Sequence, residues 1–556
     1  GNWNLKSGSK GKAASPNDDT KSAKLPSTDP DGSLAEMREW LAKNESEGSP
    51  RVTSRYNFLA EGDLQTEQSF AQLYVQDDQP GAVAKPLALG FAGKNAAEWM
   101  MDNRHIIYVA PRDLSENPDR QFGRNSLYLI EIETGKVSVF RDAEDESYNH
   151  PTPSPDGKWV AYTVQTGGPF SFDQSKVVLK PTTGGEPRVL TANHDRQAGQ
   201  PKWARDSRAL YFTSPDQGRF PLFRINIERR TTQHLTWQPW GIRSFDVGAT
   251  GLVQIVTAAE NPSELHVAHL SGKISKQLTR HNADWLKGKK LSAYVRHSFE
   301  NEQAMRVDYW TMKPTEFDPV KKYPLLVNIH GGPTAMWGPG EESMWFEFQY
   351  FAAKGYAIVF ANPRGSGGYG REFQRANYRD WGAGPASDVL AAATEAAKQP
   401  FIDADRQVVT GGSYGGYLTA WIVAHDHRFK AAVAQRGVYD LIPFFGEGNA
   451  WSLVPRYWGG YHWEPDVRAA LLRDSPFTYA HQIKTPLLIK HGDVDFRTGV
   501  VQSQMLYKTL KALGRDVEYV RYPRATHELS RSGEPKQRLD RLVRFEEFFR
   551  RYIGMN

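Results

Sequence analysis

Two kinds of hydrophobic patterning divide the chain. From about residue 51 to 285, short runs alternate apolar and polar positions with a period of two, as half-buried strands do. Asp102-Asn103-Arg104-His105-Ile106-Ile107-Tyr108, Asp156-Gly157-Lys158-Trp159-Val160-Ala161-Tyr162 and Asp206-Ser207-Arg208-Ala209-Leu210-Tyr211 share one layout. Each is a turn built on Asp and a small polar residue, then an alternating strand ending in Tyr. Each leads into a second strand pair around a turn such as Thr134-Gly135, Gly184-Gly185 or Arg229-Arg230. A weaker copy runs from Phe245 to Thr279, and a weaker one still precedes Leu87. Four strands recurring at about fifty residues predict the blades of a β-propeller, about four to five of them. A β-sandwich is the alternative that similar hairpins allow.

From about residue 290 the pattern changes. Two strands (291–297, 304–311) precede short apolar runs at 325–329, 357–361, 408–411, 431–434, 487–490 and 517–522. Helical periodicity lies between them at 342–353, 386–399, 417–424 and 500–513, and 535–552 closes the chain. Such β/α alternation predicts a mostly parallel sheet covered on both faces, with active-site loops at the carboxyl ends of its strands. The predicted class is α/β, an N-terminal β-propeller joined to a C-terminal α/β-hydrolase domain. The expected divisions are a polar tail or surface segment (1–50), the propeller (51–285) and the catalytic domain (286–556). A short helix at Ser33–Asn44 is expected within the first segment.

Composition narrows the chemistry. At 556 residues, with 39% hydrophobic and 24% charged residues and a mean hydropathy of −0.60, this reads as a soluble protein of two or more domains. No apolar run is long enough to span a bilayer. The net charge of +5 is mild and no basic stripe interleaves with aromatics, which argues against a nucleic-acid partner. The absence of cysteine excludes disulfides, thiolate catalysis and Cys-ligated zinc. His425-Asp426-His427 reads as a solvated turn after a helix, so neither metal nor other cofactor is expected. The chain opens on Gly1 rather than Met, which does not fix the compartment: cytoplasm and, after leader removal, periplasm or exterior are all left open.

Gly411-Gly412-Ser413-Tyr414-Gly415 is a G-x-S-x-G run between a β-branched strand and a helix-forming segment. In that context the serine stands on a strained turn, and the N–H of the next residue, Tyr414, faces a developing oxyanion. A serine hydroxyl needs a base, and the base needs an anion to fix its tautomer. The hydrolase chain order is serine, acid, histidine. Of fifteen histidines only His527 follows the candidate acids. Asp493 and Asp495, in the loop leaving the strand before residue 491, are equally placed as the acid. The glycine-rich turn His330-Gly331-Gly332-Pro333 offers a second oxyanion N–H.

These segments, with the Asn362–Gly370, His491–Arg497 and His527–Gly533 runs, resemble the prolyl oligopeptidase family of serine peptidases, particularly its acylaminoacyl-peptidase and dipeptidyl-peptidase-like bacterial branch. The resemblance covers roughly 290–556. It implies Ser413 as nucleophile, Asp495 as acid and His527 as base, with the oxyanion hole at the N–H groups of Tyr414 and Gly332. It also implies that Arg497 holds the substrate carbonyl next to the scissile residue. The propeller region is short for that family, and no paired-Glu motif for gripping a free amino terminus is found, which argues against strict dipeptide release. The expected function is a serine peptidase of short peptides, with access restricted by the propeller and homo-oligomerisation allowed. A carboxylesterase using the same triad and an inert propeller scaffold are the rival readings. Trp337, Trp345, Phe444, Phe445, Trp451, Trp458 and Tyr461 are candidates to line the specificity pocket, and Arg456 to anchor a terminal carboxylate.

Overall fold

The computed structural model describes residues 2–4, 29, 31–43, 53, 56–64, 69–89, 93–112, 124–168 and 170–555. A helix forms at Leu34–Lys43, as expected, under a reciprocal cap: Ser33 N donates to Glu36 Oε2 (2.8 Å) and Glu36 N to Ser33 Oγ (3.4 Å). Most of the remaining first fifty positions lie outside the described residues.

Four four-stranded antiparallel sheets follow in sequence order, spanning 95–141, 146–189, 202–234 and 240–277. A two-stranded ladder, Leu73–Val75 with Lys85–Ala88, precedes them. The recurring Asp acts in the same way in three of the turns. Its carboxylate accepts the amide of the residue two further on, at 2.9 Å for Arg104 and Arg208 and 3.1 Å for Lys158. The small polar residue after it, Asn103, Gly157 or Ser207, takes the left-handed conformation that the turn requires.

Period-two alternation lets each sheet bury both faces. Ile107 and Val109 pack with Tyr148, Val160 and Tyr162 of the second sheet, whereas Ile106 and Tyr108 pack with Leu73 and Leu87 of the preceding ladder. Ala161 and Leu179 meet Leu210 and Phe212, and Tyr211 and Leu222 meet Ile242 and Phe245. Sheets stacked face on face in chain order are propeller blades, and among the described residues four are four-stranded and the Leu73–Ala88 ladder is two-stranded.

The second domain is an eight-stranded sheet. Its strands are β1 (Val295–Glu300), β2 (Arg306–Met312), β3 (Tyr323–Ile329), β4 (Ala357–Ala361), β5 (Ile402–Gly412), β6 (Ala431–Gln435), β7 (Leu487–Gly492) and β8 (Val517–Tyr522). They lie in the order β1-β2-β4-β3-β5-β6-β7-β8, parallel from β4 onward. Helices α1 (Trp345–Ala353), α2 (Ala383–Ala397), α3 (Tyr414–His425), α4 (Val500–Ala512) and α5 (Pro535–Ile553) cover it. Phe348 and Phe351 of α1 and Phe545 and Phe549 of α5 pack on Leu326, Val408, Val433 and Leu488. Val389, Leu418 and Leu506 pack on the opposite face with Val327, Val409 and Ile489. This is the α/β-hydrolase domain, and its strands point their carboxyl ends at the propeller.

The two domains meet backbone to backbone. A Cβ on Gly338 would lie 2.3 Å from the Gly218 carbonyl oxygen, and one on Gly241 the same distance from that of Gly340. Gly340 N donates to Gly218 O (3.0 Å), Gln174 Nε2 to Gln374 Oε1 (2.8 Å), and Arg371 pairs with Asp173 (2.7 Å).

Candidate active site

Ser413 sits where β5 turns into α3, with φ 61° and ψ −122°, a conformation that L-residues rarely adopt. Its neighbours permit it. A Cβ on Gly411 would lie 2.4 Å from the Gly415 carbonyl oxygen, and one on Gly415 only 2.1 Å from that of Ile329 in β3. Ser413 N is tied to Gln435 O at 3.0 Å. Tyr414 opens α3, so its N–H has no partner within the helix, and its hydroxyl donates to Trp381 O (2.7 Å).

Asp495 lies in the loop after β7. Its Oδ1 accepts the backbone N–H groups of Arg497 (2.9 Å) and Thr498 (3.1 Å). Its Oδ2 is 2.8 Å from His527 Nδ1 and 3.2 Å from His491 Nε2. Burial would raise this carboxyl, but the imidazoles of His527 and His491 outweigh burial and hold it well below the usual carboxylate range. Asp493 instead faces Arg521 at 2.6 Å near the surface. The local geometry therefore separates two aspartates that their sequence positions leave equal.

His527 follows β8. Burial pushes its imidazole down to about 4, against the upward pull of Asp495, and Arg436 and Arg497 add to the lowering. A ring kept neutral with Nδ1 facing a carboxylate carries its proton there and leaves Nε2 as the acceptor.

The Gly331 turn lies against the Ser413 turn, where a Cβ on Gly331 would be 3.3 Å from Ser413 Cβ. Gly332 takes φ 122°. Behind the turn, the His330 ring nitrogens lie 2.7 Å from Gly331 O and 2.9 Å from Ser366 Oγ, and burial lowers the ring to about 4.

Ser413, Tyr414, Gly332, His527 and Arg497 all line one cavity of about 640 Å³, and Asp495 sits behind His527. Gln165, Asp173, Gln197 and Phe220 of the propeller form its far wall. Arg497 Nη1 is 3.4 Å from Glu61 Oε1 and from Asn449 Oδ1. Of the seven aromatic candidates, Trp337 and Phe444 reach the cavity; Phe445 and Trp451 flank a separate hollow with Tyr56. Trp345 and Trp458 are buried, donating to Ala259 O and Asp474 Oδ2, and Tyr461 stacks on Trp463. Arg456 lines the cavity with its guanidinium over the ring of Phe172. Two residues not expected from the sequence stand beside the Asp495–His527 pair: Thr498 Oγ1 lies 3.3 Å from Asp495 Oδ2, and Arg436 lines the cavity with His527. A charged residue directly after the apolar run of β6, at the carboxyl end of the sheet, was the available signal.

A strained serine at a strand–helix turn, a histidine–carboxylate pair and a glycine turn beside it are the parts that serine-hydrolase chemistry needs. Residues 342–556 match the model of the prolyl oligopeptidase family. The uncharacterized peptidase YuxL of Bacillus subtilis is 38% identical over 360 residues, 64% of this chain and 53% of that protein. Dipeptidyl-peptidase 5 of Porphyromonas gingivalis is 24% identical over 446 residues, 79% of this chain and 64% of that protein. The chain thus spans about half the length of the first relative and under two thirds of the second. Among solved structures, Pyrococcus horikoshii acylaminoacyl peptidase matches with a TM-score of 0.76 and 25% identity, covering 92% of this chain and 79% of that one.

Proposed function

We propose that this chain is a serine peptidase that cleaves short peptides through an acyl-enzyme on Ser413. The observation that carries the reading is the 2.8 Å approach of Asp495 Oδ2 to His527 Nδ1 on the wall of the cavity that also holds Ser413. In this reading His527 Nε2 takes the Ser413 proton as Oγ attacks the scissile carbonyl. Asp495 stabilises the imidazolium that forms. The N–H groups of Tyr414 and Gly332 receive the oxyanion, and Arg497 holds the carbonyl of the neighbouring residue. His527 then protonates the leaving amine, and water attacks the ester by the same route in reverse. The propeller wall favours oligopeptides over folded proteins, and the same proposal divides the chain near residue 286.

Fluorophosphonate labelling tests it. The wild type should label on Ser413, and Ser413→Ala should fold normally, fail to label and lose at least about 10⁴-fold in kcat. Turnover of peptides by Ser413→Ala would overturn the assignment.

A further inference from the structure

Arg436 directly follows β6 and is 7% exposed, and it lines the cavity. Its guanidinium lies against the nucleophile turn: a Cβ on Gly412 would be 3.1 Å from Arg436 Cζ. Nη2 donates to Ser530 Oγ at 3.0 Å, three residues after His527, while Nε is buried without a partner. Among the described residues no carboxylate pairs with Arg436, although a buried charge is costly unless paired. The nearby carboxylates are engaged elsewhere. Glu347 takes Arg541 (2.6 Å) and Asn328 (3.0 Å), Glu528 takes Arg531 (2.6 Å), and Asp495 takes His527. Burial lowers the guanidinium to about 10, with Arg531 and Arg541 adding to it.

A purely structural role does not need this charge. Arg436 does tether the site, since its N–H donates to Lys490 O (2.7 Å) and its carbonyl accepts from Thr498 Oγ1 (3.2 Å). Both are backbone bonds that other residues can make.

The position matters as well. His527 must hand its proton to the leaving amine, so the leaving fragment lies on the His527 side of Ser413. Ser530, Arg531 and Arg436 line the cavity with His527. Beyond them a side cavity of about 240 Å³ shares Ser343, Met344, Glu347 and Ser530 with the main one, which leaves room for a leaving residue.

We propose that Arg436, with Ser530 beside it, binds the free α-carboxylate of the leaving fragment, so that cleavage falls close to the carboxyl terminus of a short peptide. This rests on the peptidase reading and adds a substrate class to it. A planar guanidinium with unfilled donors suits a carboxylate and has no comparable partner in a terminal amide.

The test is a mixture of N-acetylated tetrapeptides, each present as the free acid and as the C-terminal amide, with products followed by mass spectrometry. The wild type should cleave the acids with kcat/KM about tenfold or more above the amides. That ratio should fall toward one in Arg436→Gln and be partly kept in Arg436→Lys. If either variant fails to fold, the wild-type ratio decides alone. Equal or faster cleavage of the amides by the wild type overturns the carboxylate site and leaves the peptidase reading standing. Cleavage of neither, with no fluorophosphonate label on Ser413, overturns the peptidase reading and this site with it.

Discussion

The Arg364 guanidinium donates to both carboxylate oxygens of Asp388, Nε to Oδ2 at 2.9 Å and Nη2 to Oδ1 at 2.7 Å, with both side chains buried. Arg364 N also donates to Oδ2 (2.8 Å), so one carboxylate fixes the loop after β4 whose Ser366 reaches His330. Removing Asp388 leaves the buried Arg364 charge with only the exposed Glu302, 2.6 Å from Nη2. Asp388→Ala should lower stability by about 3–5 kcal/mol, read by denaturant unfolding, and should loosen the turn that carries Gly332. A loss below about 1 kcal/mol would show that solvent reaches the pair.

Asp495 and Asp493 stand two residues apart in one loop and should respond differently. Asp495→Asn removes the charge facing His527 and should cut kcat by about 10⁴-fold. Asp493→Asn loses only the exposed contact with Arg521 and should leave kcat within about twofold. Comparable losses in the two variants would refute the assignment of the acid.

The acid side of the pH profile follows from His527. Its folded value, about 4, lies below the ordinary 6.5 because the ring is buried. The base is neutral above the folded value and is lost as pH falls through it, so the acid limb of kcat/KM should lie below pH 6. Between about 6.5 and 4 the unfolded chain binds a proton that the folded chain does not, so His527 lowers stability as the pH drops through that window. An acid limb at or above 6.5 would show that the ring is solvated in the working enzyme.

Arg497 keeps a 38% exposed side chain whose carboxylate neighbour, Glu61, is 3.4 Å away. Arg497→Ala should therefore fold normally while kcat/KM falls about 10–100-fold, chiefly through KM. Glu61→Gln should leave Arg497 free for substrate and cost little. If Arg497→Ala lost stability and kept kcat/KM, the residue would be a structural ion-pair partner.

Much of the catalytic half was legible because its strands are continuous apolar runs. Ala357–Ala361 and Val517–Tyr522 fold over the expected residues. β5 was expected at Val408 but begins at Ile402, since the polar residues 403–406 read as loop and extend only because Tyr323 and Pro324 of β3 pair with Ile402 and Asp403. α3 was expected from Tyr417 yet starts at Tyr414. Gly415 and Gly416 weaken local helix propensity, and close packing against Ile329 O and Gln435 O holds them in place. The helices at 441–447, 453–458 and 465–474 gave no clean periodicity, because Phe444, Val454, Tyr457 and Trp458 are buried amid neighbours on several sides.

The chain by itself determined the kinds of layer, the strained turn at Ser413 and His527 as the candidate base, because hydrophobic period, glycine spacing and chain order are local properties. Tertiary structure decided which aspartate meets His527, which aromatics reach the cavity, and that Arg436 stands buried beside the nucleophile without a carboxylate. Those are distances between segments tens to hundreds of residues apart, and they arise only when the carboxyl ends of β5, β6, β7 and β8 are packed along one edge beneath the propeller.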